Sequence, residues 1–242
     1  MTNASYKQFC PVAMAAEILC TRWTVVLLRE LIAGSTRFNE LRRGVPRMSP
    51  ALLSKRLREL EAAGVVERDQ RPDGPDAAAY RLTPAGQDLQ PVIEAIGMWG
   101  QKWVETEPSL DNLDPELLMW DMRRNLDTDP VPKRQTVIEF IYPELPPSQR
   151  NWWLIVEPDQ SVDLCHVDPG FDVDLFINVD LRTMTEIWMG LRSVARAVDD
   201  GAISMMGNTD LTDSMQSWLG LSPFAKQEKL AAASGGGVYA PS

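Results

Sequence analysis

The sequence predicts an α+β protein with two domains, a mainly helical one followed by an α/β one with a small sheet. Its 242 residues exceed the length of about 100 that one small domain requires. Charge divides the chain too: up to Thr106 fourteen basic residues face twelve acidic ones, whereas from Glu107 onward ten face twenty-two. Periodicity is the third observation, because helical spacing dominates the first half and strand-like alternation begins after Pro130.

The stretch from Arg37 to Leu60 is strongly basic, although the whole chain has a net charge of −10. A short helix, FNELRR, is followed by a turn that contains Gly44 and Pro46. A second helix begins after Ser49, a residue type that caps helix N-termini. This order of elements predicts a helix-turn-helix.

The second helix of this motif has two contrasting faces. Leu53, Leu57 and Leu60 share one stripe, as in a helix that faces a core. The opposite side carries small, hydroxyl and cationic side chains, which suit contacts with base edges and phosphates. We expect base contacts from Ser49, Ser54, Lys55 and Arg58, and phosphate contacts from Arg37, Arg42, Arg43, Arg47 and Arg56. The alternative is a solvated amphipathic helix whose basic residues keep it soluble.

A β-hairpin is predicted directly after this helix. Gly64 suits a helix C-cap, VVERDQR is typical of a strand, and Tyr80-Arg81-Leu82 predicts the returning strand. Between them Pro72, Gly74 and Pro75 predict a turn. A helix-turn-helix with a hairpin is a winged helix. Asp73 and Asp76 beside Arg71 indicate a wing tip that reads the minor groove weakly.

Six segments in order resemble the HxlR-type family of bacterial winged-helix transcription regulators. They span residues 8–105 and are Cys10-Pro11-Val12, Arg22-Trp23-Thr24, RFNEL, SPALLSKRLRELEAAGVVER, YRLTPAGQDL and Trp99-Gly100. Two departures are Cys20-Thr21, where the family usually has small or Gly residues, and Ala79, where an acid often precedes the wing tyrosine. The resemblance implies a winged helix that binds double-stranded DNA.

The resemblance also implies a homodimer built by the N-terminal helix and the helix after Thr83. That later helix carries Leu89, Val92, Ile93, Ile96, Trp99 and Trp103 at helical spacing, a stripe that is typical of a core-facing helix. A dimer would set two recognition helices about one DNA turn apart and would require a palindromic operator.

Cys10 is the candidate redox residue of this region. Some members of the resembled family sense oxidants or electrophiles through a cysteine at this position. Cys10 also precedes a predicted helix, and a helix N-terminus favours the reactive thiolate form of a nearby thiol. The alternative is a buried, inert family cysteine.

No catalytic or metal-binding pattern is apparent. The chain lacks GxxxxGK and GxSxG, and its three cysteines and single histidine, His166, have no metal-ligand spacing. We therefore predict no enzymatic activity, no metal and no other cofactor. Without a run of about 20 apolar residues or a signal-peptide pattern, the sequence predicts a cytoplasmic protein with no membrane partner.

The second domain is predicted to begin with the helix PELLMWDMRRNL, capped by Asp114. Strands follow at QTVIEFIY, NWWLIVEP, SVDLCHVD, VDLFINVD and AISMMG, separated by turn residues and by one helical stretch. The resulting boundaries are residues 1–106 for the first domain, 107–114 for a linker, 115–225 for the second domain and 226–242 for a disordered tail.

The segment VDLFINVDLRTMTEIWMGLRSVARAVDDGAISMMGNTDLTDSMQSWL resembles the sterol-carrier-protein-2-like domain. Its family features are an Asp before the helix, a mid-helix Gly190 and the Asp200-Gly201 step into a strand that ends in Gly207-Asn208. That family encloses an apolar cavity, so the resemblance implies an apolar ligand. The lining residues would be Met184, Trp188, Met189, Met205, Met206, Met215 and Trp218. A solid core or a dimer brace without a ligand remains open.

Together these patterns predict a dimeric transcription regulator that an apolar small molecule modulates through the second domain. The alternative function is a lipid-binding carrier that uses the winged helix only for dimerisation. Dependence of DNA binding on salt distinguishes the two.

Overall fold

The computed structural model of the chain describes residues 5–70, 78–104, 110 and 112–230. It divides into two compact units, Met1–Gly97 and Met98–Ser242. The predicted wing tip, half of the predicted linker and the tail beyond residue 230 lie outside the described residues. The first five residues of the predicted tail are described, and the Leu230 N–H donates to the Lys102 carbonyl at 3.0 Å.

The first unit is the predicted winged helix-turn-helix. Its elements are α1 (Pro11–Leu19), α2 (Thr24–Ile32), α3 (Phe38–Gly44), α4 (Pro50–Ala62), β1 (Val66–Gln70), β2 (Ala78–Leu82), α5 (Pro84–Gln87) and the first turns of α6 (Gln90–Trp103). α1 and α2 meet at a bend of 83°, so this apolar stretch is not one straight helix. Within the described residues no single helix is long and apolar enough to cross a membrane, and α1 and α2 pass that test only as a bent pair.

Capping and burial explain why α4 forms where the sequence places it. The Ser49 Oγ accepts a hydrogen bond from the Leu52 N–H at 3.3 Å, as predicted for an N-cap. Leu53, Leu57 and Leu60 are buried in the core of this unit, which confirms the predicted apolar stripe.

The hairpin is fastened to the end of α4. β1 and β2 pair antiparallel with Val66 opposite Leu82. Thr83 caps α5, because its Oγ1 accepts from the Gly86 N–H at 3.2 Å. The same hydroxyl donates to the Gly64 carbonyl at 2.7 Å, so the strand end is fixed beside the C-terminus of α4.

The second unit is an α/β fold around one five-stranded sheet. After α7 (Pro115–Asn125) its elements are β3 (Thr136–Ile141), α8 (Pro147–Arg150), β4 (Asn151–Val156), β5 (Val162–Cys165), β6 (Leu175–Val179), α9 (Leu181–Trp188), α10 (Val194–Asp199), β7 (Ile203–Gly207), α11 (Thr209–Asp213) and α12 (Met215–Trp218). The strand order is β5-β4-β3-β6-β7, and only β3 and β6 pair parallel. The five predicted strands are confirmed.

Gly190 does not lie in the middle of a helix, so that expectation was wrong. The helical stretch breaks into α9 and α10, and Gly190 lies between them at φ +73°. A Cβ at this position would come within 2.9 Å of the Ala225 carbonyl oxygen. The positive φ ends the helix at this position. Glycine adopts that φ without strain, and it has no Cβ to clash with Ala225.

Candidate nucleic-acid interface

The start of α3 is held by an acidic side chain. Glu40 Oε2 accepts hydrogen bonds from the backbone N–H groups of Thr36 and Arg37, each at 2.9 Å. These two donors precede the first helical hydrogen bonds and would otherwise need solvent. The isolated bridge from Arg37 to Ala79 ties the same point to the hairpin.

The turn between α3 and α4 is held from α2. The Arg29 guanidinium donates to the Gly44 carbonyl at 3.0 Å and forms an ion pair with Glu30, which is fully buried. Ser35 Oγ donates to Glu30 Oε2 at 3.3 Å. Sequence analysis missed Glu30, because an acid inside an apolar helix carries no local signal of burial.

The outward face of α4 carries the predicted base-contacting residues. Lys55 has a side chain that is 54% exposed, Arg58 is exposed and Ser54 is half-buried. Ser49 is exposed at the N-terminus of the helix, although its hydroxyl is engaged in the cap. Ser54, Lys55 and Arg58 thus share the side away from the buried leucines, whereas Ser49 lies one turn before Leu53 at the start of the helix.

The five predicted phosphate-contacting arginines divide into two groups. Four are exposed on α3 and the turns beside it, namely Arg37, Arg42, Arg43 and Arg47. Arg56 differs, since its side chain is only 12% exposed. Its Nε donates to the Arg22 carbonyl at 3.1 Å, and its Nη1 pairs with Glu59. Arg56 therefore fastens α4 to the turn between α1 and α2.

Glu59 is a second residue that sequence analysis missed. It lies one turn after both Lys55 and Arg56, and its Oε1 is 3.8 Å from the Lys55 ammonium. The i, i+3 and i, i+4 spacing of these charges was a usable signal in the sequence. Glu59 lowers the positive charge of the outward face at the C-terminal end of α4.

The candidate redox residue lies at the N-terminus of α1. Cys10 is the N-cap and is exposed, which disagrees with the buried alternative. Cys20 is also exposed and Cys165 is half-buried. Within the described ranges no three or more His, Cys, Asp and Glu side chains gather where they could hold a metal ion.

The apolar stripe of α6 faces a core over only part of its length, so that expectation was wrong for three of its six residues. Ile93 is buried, whereas Val92, Ile96 and Trp99 are 43%, 47% and 51% exposed. Exposed apolar side chains also lie on and before α1, namely Phe9, Val12, Met14 and Ile18. Apolar surface of this extent is typical of an interaction face.

The predicted ligand residues of the second unit have unequal environments. Met184, Met215, Trp218 and Trp188 are buried in one core cluster, and Met189 and Met205 pack against it half-buried. Met206 is 70% exposed. Sequence analysis missed Met119, Met122 and Tyr142 of the same core, because they lie on α7 and directly after β3, ahead of the segment that carries the sterol-carrier resemblance.

Comparison with known proteins identifies the family of the first unit. The sequence profile described as HxlR-like helix-turn-helix matches residues 18–108. The HTH-type transcriptional regulator YvaP of Bacillus subtilis is 38% identical over 99 residues, which cover 40% of this chain and 92% of YvaP. A Synechocystis regulator of the same type is 37% identical over 98 residues, covering 40% of this chain and 73% of that protein.

Solved structures are also similar to a part of the chain. One is the redox regulator HypR in its reduced form, at 35% identity and a TM-score of 0.36. The alignment covers 38% of this chain and 90% of that structure. On the strength of the sequence relatives, the chain belongs, through its winged unit, to the HxlR-like helix-turn-helix family of transcriptional regulators.

Proposed function

We propose that the chain is a homodimeric, cytoplasmic transcription regulator that binds a palindromic operator through α4. The observation that carries the proposal is the outward face of α4, where Lys55 and Arg58 project opposite a buried leucine stripe. Four exposed arginines on and beside α3 extend the cationic surface toward the flanking phosphates. From Glu107 onward the chain is acidic and would repel DNA.

Fluorescence anisotropy on labelled DNA tests this proposal. The duplex comes from upstream of the protein's own coding region, beside a scrambled duplex of equal length. The test variant is Lys55→Ala/Arg58→Ala. Its matched control is Lys133→Ala/Arg196→Ala, which removes the same charge from exposed positions of the second unit.

We expect the native duplex to be preferred by about 10³-fold or more. That preference should collapse in the α4 variant and persist in the control. Affinity should also fall by orders of magnitude between about 50 and 200 mM salt if several phosphates are contacted. Equal, weak binding to both duplexes would contradict the proposal and favour a lipid carrier with a dimerising winged helix.

For the second unit we propose a sterol-carrier-like domain that takes up an apolar small molecule. Support comes from the sheet with its helices and from a core rich in methionine, a side chain that adapts to irregular shapes. Such a ligand alters DNA binding only if it binds the DNA-competent and DNA-incompetent arrangements with different affinity. A fluorescent long-chain fatty acid, titrated with and without operator DNA, tests both statements.

A redox response through Cys10 is compatible with this function. Its thiol is exposed at the N-terminus of α1, where an oxidant can reach it. Hydrogen peroxide, which oxidises a single thiolate to a sulfenic acid, should weaken DNA binding of the native chain. Cys10→Ser should abolish that response, while Cys20→Ser and Cys165→Ser retain it. An unchanged response in Cys10→Ser would remove Cys10 from the mechanism.

A further inference from the structure

A cleft of about 250 Å³ lies in the first unit, between α4 and the end of α1. One wall is formed by Glu17 and Ile18 of α1 together with Thr21 of the following turn. The other wall is the C-terminal half of α4, including Arg56, Glu59 and Leu60. The cleft borders the outward face of α4 at Glu59.

The polar part of this cleft combines charged and hydroxyl side chains. It has two carboxylates, Glu17 and Glu59, one guanidinium, Arg56, and the hydroxyls of Thr21 and Thr24. The donors of Arg56 are already directed at the Arg22 carbonyl and at Glu59. Glu17 Oε1 accepts from the Ser5 hydroxyl and the Tyr6 N–H, at 2.7 and 2.8 Å, and these bonds fix the carboxylate in place.

The remaining lining is apolar or small. Ile18 and Leu60 face the cleft from opposite walls, and Ala62 and Ala63 close its end. A volume of about 250 Å³ lies just below the usual range for drug-sized ligands, roughly 300–1,000 Å³, so the occupant is small. A ligand that matches both parts has an apolar body and a donor-bearing, positively charged head.

We infer that this cleft binds a small amphipathic organic cation, an amine with an apolar body about the size of one aromatic ring. The ammonium group is drawn to the carboxylates of Glu17 and Glu59, of which Glu59 is shared with Arg56. The apolar body lies against Ile18 and Leu60. A carboxylate ligand would meet two like charges in the same space.

The position of Glu59 gives this site a route to the recognition helix. Glu59 is the partner of Arg56, and it also lies near the Lys55 ammonium. A bound ammonium competes for that carboxylate and so loosens the link from Arg56 to the turn between α1 and α2. This regulatory step rests on the proposed function, whereas the binding site itself does not.

Isothermal titration calorimetry on the full chain tests the site without DNA. The probes are benzylamine, its neutral analogue benzyl alcohol and the anion benzoate, all at neutral pH. The variants are Glu17→Gln and Glu59→Gln, with Glu61→Gln as the matched control, since Glu61 is exposed on the same helix and does not line the cleft.

We expect benzylamine to bind at least about tenfold more tightly than either analogue, as one lost charge-assisted hydrogen bond implies. Each cleft variant should weaken benzylamine binding by about tenfold, and Glu61→Gln should leave it unchanged. Equal affinity for benzylamine and benzyl alcohol would overturn the site. So would benzylamine binding that both cleft variants retain.

A second arm measures operator affinity in saturating benzylamine, with benzyl alcohol at equal concentration as the control. A severalfold change that disappears in Glu17→Gln supports the regulatory step. Unchanged operator affinity with benzylamine bound overturns that step and leaves the site intact. If the chain fails to prefer its operator at all, the proposed function fails, while the calorimetric result still decides whether the amine site exists.

Discussion

Gly44 lies directly against Glu30, and a Cβ on Gly44 would come within 1.8 Å of Glu30 Oε2. Glycine is required here because of this close approach and not because of backbone conformation, since the φ of Gly44 is not positive. Glu30 has little freedom to withdraw, since it is fully buried, pairs with Arg29 and accepts from Ser35. The turn of the helix-turn-helix therefore depends on a glycine and a buried acid that are distant in sequence.

Gly44→Ala should lower the free energy of unfolding by about 1–3 kcal/mol, because the added methyl group displaces a fixed buried carboxylate. Gly100→Ala is the control, since its Cβ would meet nothing within 4 Å inside α6. That change should be neutral or stabilising by about 0.5–1 kcal/mol. Urea denaturation followed by circular dichroism measures both, and equal effects of the two substitutions would contradict the steric explanation.

The exposed apolar stripe of α6 should support the proposed homodimer. Ile96→Lys and Trp99→Lys place charge in that stripe and should shift the chain from a dimer toward its monomer mass of 27.1 kDa. Light scattering coupled to size-exclusion chromatography measures the mass. Gln90→Lys adds the same charge on the opposite side of the helix and should leave the dimer intact. A monomeric native chain, or dimers that survive both stripe variants, would disprove this role.

Local patterns were sufficient for the elements of the first unit. Ser49, Pro50 and the leucines at i, i+4 and i+7 specify where α4 starts and which face it buries, and the structure confirms both. These features depend on residues within one helix. Propensity and turn residues located the strands of the second unit in the same way.

Contacts between distant residues were beyond the sequence. In the sequence Arg56 looks like its basic neighbours on the same helix, yet its side chain donates to the Arg22 carbonyl, 34 residues earlier. The stripe of α6 has the periodicity of a core helix, although Ile96 and Trp99 are exposed in the single chain. Periodicity reports that a face is apolar, and it does not report whether the same chain or a partner covers it.

Tyr142 has a buried hydroxyl group with a weak hydrogen-bond partner. Removal of that hydroxyl should therefore cost little stability. Its Oη donates to the Met119 sulfur at 3.1 Å, and a thioether is a weak acceptor. Tyr142→Phe keeps the ring and should change stability by less than about 1 kcal/mol. Thr183→Val is the contrast, because the Thr183 hydroxyl donates to the Asp180 carboxylate at 2.6 Å and its loss should cost about 1–2 kcal/mol. Similar losses in both variants would contradict the argument.

The same tyrosine should set an alkaline limit on stability. Burial raises the pKa of Tyr142 above its ordinary value, with a smaller contribution from the Glu144 carboxylate. A raised folded-state pKa means that the folded chain keeps a proton that the unfolded chain releases above about pH 10. Stability should therefore fall above that pH in the native chain and fall less steeply in Tyr142→Phe. Phenolate absorbance during alkaline titration should show Tyr142 ionising only as the unit unfolds.

Asp174 connects the two parallel strands at the centre of the sheet. Its Oδ1 accepts from Arg134 at 2.6 Å, its Oδ2 accepts from the Val137 N–H at 2.9 Å, and its carbonyl accepts from the Asn208 N–H at 2.8 Å. Partial burial alone would raise the pKa of Asp174, but the hydrogen bonds from Arg134 and Val137 and the guanidinium charge outweigh it. The pKa therefore lies below its ordinary value.

A depressed folded-state pKa contributes stability above the unfolded value of about 3.9, and this contribution is lost as pH falls through the folded value. Asp174→Asn should cost about 1 kcal/mol at neutral pH, a modest figure because the half-exposed Arg134 is screened by solvent. The difference from the native chain should begin to shrink below about pH 4, where the unfolded chain takes up the proton, and it should vanish once the pH falls below the depressed folded-state pKa. Urea unfolding at a series of pH values measures this convergence. Asp172→Asn, an exposed change two residues away, should have no pH-dependent effect, and a constant cost of Asp174→Asn at every pH would show that charge is not the cause.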